Sequence, residues 1–360
     1  MRCVLVLLAV SAAAAYAQQD KRTDDPAFVT ALRKAVVHVR AVDRAMIEAQ
    51  RLRKKNPRAI SLRSLRIQQP YAIYTSGVCI SADGMIVTQA LHPRADLVVT
   101  ITLHNGKVIK ARVVGTDPLS NLALLDLPGA DHDFIALSDA VAHRGETMYV
   151  AGHIPRRGAP ALLTGRVALD STSVRLRDTY GVTTTRSIHL GSAFAVVTDR
   201  QTPYSGSACV GDDGTLLGVV IGSMPYMHQA KDGRSAYVQL QFALPAARVA
   251  RVVRDLQKHG KVTRAWFGIL YTPAKPELRA HFKLPASACA VTRVQAEGPA
   301  YKADLRVNDV ILKLDGRTYR DAAQLGEAMA DKKPGTRVTF RLLRQGKQFD
   351  VVATPTTSPH

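Results

Sequence analysis

With 360 residues, 46% of them hydrophobic and 22% charged, the chain has the make-up of an ordinary globular protein with room for two or three domains, which excludes disordered and collagen-like classes. A formal net charge of +20 favours anionic partners (nucleic acid, acidic lipid or cell-envelope polymers), with a merely solubilising basic surface as the other reading. The N-terminus reads as an export signal and no nucleic-acid motif accompanies the charge, so nucleic acid is excluded as the main partner.

The signal comprises Arg2, the apolar run Cys3 to Ala15, and a small-x-small cleavage site at Ala15-Tyr16-Ala17. The run is short for a bilayer span, which favours an exported protein, periplasmic or extracellular, over one held by an uncleaved anchor. Residues 26–36 predict a short helix leading into the strand Val36 to Arg40. A basic insertion follows over residues 42–69. Its Arg51, Arg53, Lys54, Lys55, Arg58, Arg63 and Arg66 have no acidic residue among them, the pattern of a solvated segment or of a contact to anionic envelope polymers or a membrane surface.

From residue 71 the texture is β. Ser76 to Ser81 and Met85 to Thr88 flank a turn at Ala82-Asp83-Gly84, a hairpin signal. Further short strands are predicted at 98–103, 108–114, 122–127, 147–151, 165–169, 194–198 and 216–221, a pattern of barrels or sandwiches. Helical period returns from Leu244 to His259, with Pro245 in the first turn and Gly260 as the stop. A second unit over residues 262–356 carries strands at 266–270, 290–294, 310–314, 337–344 and 348–353 and a helix at 321–330. Cys79, Cys209 and Cys289, the cysteines beyond the signal, each sit in an apolar run and read as buried thiols. No cluster has metal-ligand spacing, and neither metal nor cofactor is expected.

Several motifs, in order, carry a resemblance. They are Ser81-Ala82-Asp83-Gly84-Met85-Ile86-Val87-Thr88, Gly115 to Leu125, Ser205-Gly206 followed by Asp213-Gly214-Thr215-Leu216-Leu217-Gly218-Val219, His259 to Ile269, and Glu297-Gly298-Pro299-Ala300 with Asn308-Asp309-Val310-Ile311. Together they resemble the HtrA-type serine proteases. The resemblance implies a mainly β chain: a chymotrypsin-like double β-barrel followed by an α+β PDZ domain. The expected division is a signal peptide at 1–17, an N-terminal segment with the basic insertion at 18–69, a trypsin-like protease-type domain at 70–261 and a PDZ domain at 262–356. Relatives of this type assemble as trimers, so a homotrimer is what the resemblance implies for assembly.

The catalytic positions depart from that pattern. A serine hydroxyl needs a base, a group to orient the base, and donors for the oxyanion. Ser205 keeps the nucleophile position. The family's histidine position falls on Leu91, which accepts no proton, and His92 lies one residue later, where an extended chain turns the side chain to the other face. The aspartate position is Asn121, an exchange that costs about 10⁴-fold in turnover in a working triad. Pro203 stands where a glycine N–H would serve the oxyanion. The expectation is a catalytically defective homologue acting as chaperone or adaptor on unfolded proteins or peptide C-termini. The alternative is an active serine endopeptidase in protein quality control, using Ser205 with His92 as a displaced base or with another base.

The PDZ-like unit keeps more of its pattern. Trp266, Phe267, Gly268 and Ile269 occupy the carboxylate-binding loop, and the strand after them would pair with a bound peptide. Leu325 and Met329 on the 321–330 helix read either as pocket residues or as core. Asp304 replaces the glycine usual before Leu305.

Overall fold

In strand β1 (Val36–Asp43) the buried residues Val37, Val39 and Ala41 alternate with His38 and Arg40, the two-residue period of a strand with one face on a core. Val39 pairs with Thr75 on one side and Ile101 on the other, so β1 lies between β2 (Ala72–Cys79) and β4 (Leu97–Thr102). With β3 (Met85–Gln89), β5 (Val108–Asp117) and β6 (Leu122–Asp126) they close a six-stranded barrel in the order β1-β2-β3-β6-β5-β4. The computed structural model describes residues 25–55, 72–91, 96–153, 160–177, 187–198, 205–229 and 235–357. The predicted signal, Arg58, Arg63 and Arg66 of the basic run, and His92 therefore lie outside the described residues, while Arg51, Arg53, Lys54 and Lys55 fall in a helix.

A second closed barrel follows, in the order β10-β11-β12-β9-β8-β7. It is built from β7 (Thr147–His153), β8 (Pro160–Arg177), β9 (Ser187–Thr198), β10 (Ala208–Val210), β11 (Leu216–Gln229) and β12 (Ser235–Pro245). Closure leaves neither barrel a free sheet edge. Helix α1 (Pro26–Ala35) is capped by the Asp25 carboxylate, and α2 (Arg44–Lys55) follows β1 directly. Helix α3 (Ala246–His259) buries Val249, Val252, Val253 and Leu256 and packs on β5 and β6 of the first barrel and β11 and β12 of the second. It ends on Gly260, whose N–H donates to the Leu256 carbonyl.

Two expectations need correction. The helix expected from Leu244 begins at Ala246, because Leu244 and Pro245 finish β12. That strand was not foreseen: its glutamines interrupt the apolar pattern, yet Gln241 is fully buried and its amide donates to the Thr198 hydroxyl at 3.2 Å. The strands β8, β9 and β11 also run well past their apolar centres.

A second compact unit begins at Val262. Strand β13 (Ala265–Trp266) pairs with the last strand, β19 (Thr356–Thr357). Five more strands, β14 (Ile269–Pro273), β15 (Cys289–Val294), β16 (Val310–Leu314), β17 (Val338–Arg344) and β18 (Lys347–Ala353), form one antiparallel sheet in sequence order, which leaves β14 at an edge. Helices α4 (Pro276–His281), α5 (Pro299–Lys302) and α6 (Ala322–Ala330) complete it. Asp321 caps α6 by accepting from the Gln324 N–H at 2.9 Å, and Gln324 Oε1 accepts from the Arg320 N–H at 2.8 Å, a reciprocal cap. Asp304 adopts a left-handed φ of 63°, which aspartate tolerates better than most residues. Its carboxylate accepts from Arg306 and Arg344, which holds it below the usual carboxylate range. Arg344 also forks onto the fully buried Asp309 carboxylate at 2.6 and 2.8 Å.

Candidate functional site

The turn that carries Ser205 is held between the barrels by backbone and hydroxyl hydrogen bonds. The Ser205 carbonyl accepts from the Ser76 N–H at 3.1 Å and from the Thr75 hydroxyl at 2.7 Å, both on β2 of the first barrel. The next residue, Gly206, donates to the Val220 carbonyl at 2.7 Å, and the Val220 N–H donates to the Ser207 carbonyl at 2.9 Å, which ties the turn to β11. Gly206 has a φ of 79°, and an added Cβ would run into the Ser76 carbonyl oxygen. Only glycine fits that approach. The Ser76 hydroxyl accepts from the His153 N–H at 2.9 Å and from the Ser207 hydroxyl at 3.3 Å, and the Thr88 hydroxyl donates to the Ser76 carbonyl at 2.6 Å. The result is a polar seam of Ser76, Thr88, His153 and Ser207, all buried.

Ser205 itself is half-buried, and among the described residues no group hydrogen-bonds its hydroxyl. Leu91 is buried in the hydrophobic cluster of the first barrel with Val37, Ile86 and Leu125, and its carbonyl accepts from the Thr116 hydroxyl at 3.2 Å. Asn121 begins the approach to β6 with a left-handed φ of 57° and is 5% exposed. Its amide Nδ2 donates to the Ile221 carbonyl on β11 at 2.6 Å, while its own carbonyl accepts from the Ala90 N–H at 3.0 Å. An amide donor suits that acceptor. A carboxylate would set two acceptors against each other. Pro203, Tyr204 and His92 lie outside the described residues.

Sequence reasoning missed a pair of histidines at the same seam. His153 directs its Nε2–H at the Val36 carbonyl, 3.4 Å away, and its ring centroid lies 5.6 Å from that of His38, which stacks on Tyr74. Burial pushes the His153 imidazole down to about 4, and the hydrogen bond to Val36 only partly offsets this. Burial, then the charge of Arg40, lowers His38 as well. Both rings are neutral at pH 7 and engaged in packing. The thiols Cys79, Cys209 and Cys289 are free and buried, and burial raises all three, Cys79 to about 11 and Cys289 to about 12. They are inert at neutral pH.

In the second unit, Gly268 turns the loop between β13 and β14 with a φ of 76°. Its carbonyl accepts from the Gln295 N–H at 2.8 Å, and the Phe267 carbonyl accepts from the Ala300 N–H at 2.9 Å. The Gln295 bond makes Ile269–Val294 a non-hydrogen-bonded pair, so the Ile269 N–H faces the open edge of β14. No described group accepts from the N–H groups of Phe267 or Gly268. Three successive N–H groups are thus without a described acceptor in the loop expected to bind a carboxylate. The Trp266 ring lies over Gly268 and Gly298 and braces the loop. Phe267, Leu325 and Met329 are buried in one cluster with Phe340, and Ile269 packs against it.

Comparison with known proteins agrees with this anatomy. Residues 75–219 match the trypsin-like peptidase domain family, and residues 268–353 match the PDZ domain family. A probable periplasmic serine endoprotease, DegP-like, of Chlamydia muridarum is 27% identical over 297 residues, covering 82% of this chain and 56% of the relative. One of Pseudomonas fluorescens is 28% identical over 281 residues, covering 78% and 55%. The chain thus spans about half the length of the curated relatives it matches. Among solved structures, the HtrA-type protease AlgW with a decapeptide superposes with a TM-score of 0.63 at 22% identity, over 92% of this chain and 98% of that one. The serine endoprotease from Yersinia pestis gives 0.58 at 22% identity, over the same shares. No helix among the described residues is long and apolar enough to cross a membrane. The chain matches a trypsin-like peptidase domain followed by one PDZ domain, its curated relatives are DegP-like serine endoproteases, and its fold is that of the HtrA-type proteases.

Proposed function

We propose that this protein is a periplasmic HtrA-type homologue that has given up proteolysis and captures peptide C-termini or unfolded segments through its PDZ domain, as a chaperone or adaptor. The observation that carries the reading is the Asn121 amide. At the position of the orienting carboxylate it serves as a strut between β6 and β11, spending its donors on the Ile221 carbonyl. The side chain at the base position, Leu91, supports the same reading by filling the barrel core. The Ser205 turn keeps its backbone bonds, which serve barrel packing whether or not the hydroxyl reacts. The open edge of β14 and the three N–H donors of the loop support recognition of a terminal carboxylate with β-augmentation.

Incubation of the purified full chain with unfolded casein tests the reading, alongside Ser205→Ala and a fluorophosphonate probe. The expected outcome is intact casein, no labelling of Ser205, and suppression of casein aggregation that is the same in both proteins. Casein cleavage abolished by Ser205→Ala would overturn the reading in favour of an active endopeptidase with His92 as base. The basic run between Arg51 and Arg66 and the homotrimer that the resemblance implies remain outside this proposal.

A further inference from the structure

The packing of β14 against α6 has a feature that the carboxylate loop alone does not explain. Along β14, Leu270 is 59% exposed, while Ile269 and Tyr271 turn inward against the cluster of Phe267, Leu325 and Met329. Tyr271 is long enough to cross from the edge strand to the helix. Its phenol ends against Gly326 in the second turn of α6, where an added Cβ would strike the hydroxyl oxygen and lie 3.3 Å from Cζ. Glycine is unfavourable inside a helix compared with alanine, and here the missing side chain makes room for the ring. On the helix side of the gap, Leu325 is fully buried and Met329 is 4% exposed. Neither offers free surface to a ligand. On the other side, the Trp266 ring over Gly268 and Gly298 roofs the loop.

A peptide whose carboxylate sits on the N–H groups of Phe267, Gly268 and Ile269 would bring its last side chain against the wall that β14 and α6 form, next to Tyr271. We infer that Tyr271, seated on Gly326, is a specificity-determining residue that limits the final ligand residue to a small side chain such as alanine and excludes an aromatic one. The inference rests on the reading of the loop as a C-terminal peptide site and adds the size of the residue it takes. The reason is steric: a packed apolar wall has no slack for an extra ring, since interiors are close to crystal density.

The test uses the full chain and fluorescein-labelled decapeptide pools with mixed upstream residues and a fixed last residue of alanine, valine or phenylalanine, each made also as the C-terminal amide. Binding is read by polarisation and by the emission of Trp266, the single tryptophan of the sequence. The expected order is alanine, valine, phenylalanine, with the phenylalanine pool at least about tenfold weaker than the alanine pool, as a pocket one ring too small requires. Tyr271→Val, which keeps a strand-favouring apolar residue, is expected to bind the phenylalanine pool at least as tightly as the alanine pool. Tyr271→Phe removes only the hydroxyl oxygen from Gly326 and is expected to gain on the valine pool, which serves if the valine variant does not fold. Wild-type binding of phenylalanine and alanine pools with equal affinity would overturn the size limit while leaving the C-terminal site standing. Equal binding of acids and amides, or no binding of any pool, would overturn the site itself and the inference with it.

Discussion

The serine seam and the carboxylate loop are both held in place by backbone hydrogen bonds, yet they depend on sequence in opposite ways. The seam offers a turn whose chemistry has to come from side chains: an imidazole, a carboxylate and a hydroxyl in line. At the two positions that the resemblance implies for the imidazole and the carboxylate, the chain has Leu91 in the barrel core and Asn121 bonded to the Ile221 carbonyl. The loop offers its own N–H groups, which every residue but proline supplies, so Trp266-Phe267-Gly268-Ile269 needs only the right backbone path. On the proposed reading, a scaffold can keep recognition while its catalytic side chains change, because that recognition would be made by the main chain.

The contrast is sharpest at the two glycines. Gly206→Ala places a Cβ against the Ser76 carbonyl oxygen in a left-handed turn, where the obstacle is backbone and not a flexible side chain. The expected loss is about 4 kcal/mol or more, at the exceptional end for one substitution. Gly268→Ala has a similar φ, but its nearest neighbour is the edge of the Trp266 ring at 3.2 Å, which gives way more easily. The expected loss is about 1–2 kcal/mol, the cost of the left-handed backbone alone. Urea unfolding followed by circular dichroism measures both, and equal losses would remove the distinction between a backbone-locked seam and a looser loop.

The seam also carries a pH signature that the loop lacks. His153 has its folded value lowered to about 4 by burial, against 6.5 when exposed, so the unfolded chain takes up a proton that the folded seam refuses. Stability is then expected to be full above about pH 6.5, to fall as the pH drops toward 4, and to level off below. The total loss is roughly 3 kcal/mol, since each pH unit between the folded and unfolded values is worth about 1.4 kcal/mol. The difference between wild type and His153→Gln across that window measures it, and a flat difference would show that the ring is not held neutral by the seam.

A smaller effect is expected at Asn121. Asn121→Asp restores a carboxylate but faces it toward the Ile221 carbonyl, leaving a buried acceptor without its donor. The cost is about 1–3 kcal/mol at pH 7, eased on acidification as the carboxyl takes a proton and becomes a donor again. No casein turnover is expected to appear with it, because Leu91 still supplies no base. Turnover in that variant would break the comparison at its root.

Much of this was legible in the sequence. The strand periods around Val37, Ile86 and Leu124, the Gly-bearing turns, the helix start at Asp321 and the ordered motifs are enough to identify a double barrel and a PDZ unit. Leu91 and Asn121 stand out by position in the resemblance. The strand β12 was not legible, since its buried Gln241 finds its partner, Thr198, only across the barrel. Nor was the His38–His153 pair, whose members meet between two barrels formed by distant stretches of chain.

The amino-acid order by itself determined the local business of this protein: which segments pleat, where turns fall, and which residue types stand at the positions the resemblance assigns to a triad. Those properties follow from side-chain period, glycine conformational freedom and chemical identity, all of which act over a few neighbouring residues. What Asn121 bonds to, what holds His153 neutral, and whether Tyr271 fills the groove beside Gly326 were decided only by folding. Each depends on atoms far apart in sequence sharing a space too tight for water, where a hydrogen-bond partner or a missing Cβ settles the outcome.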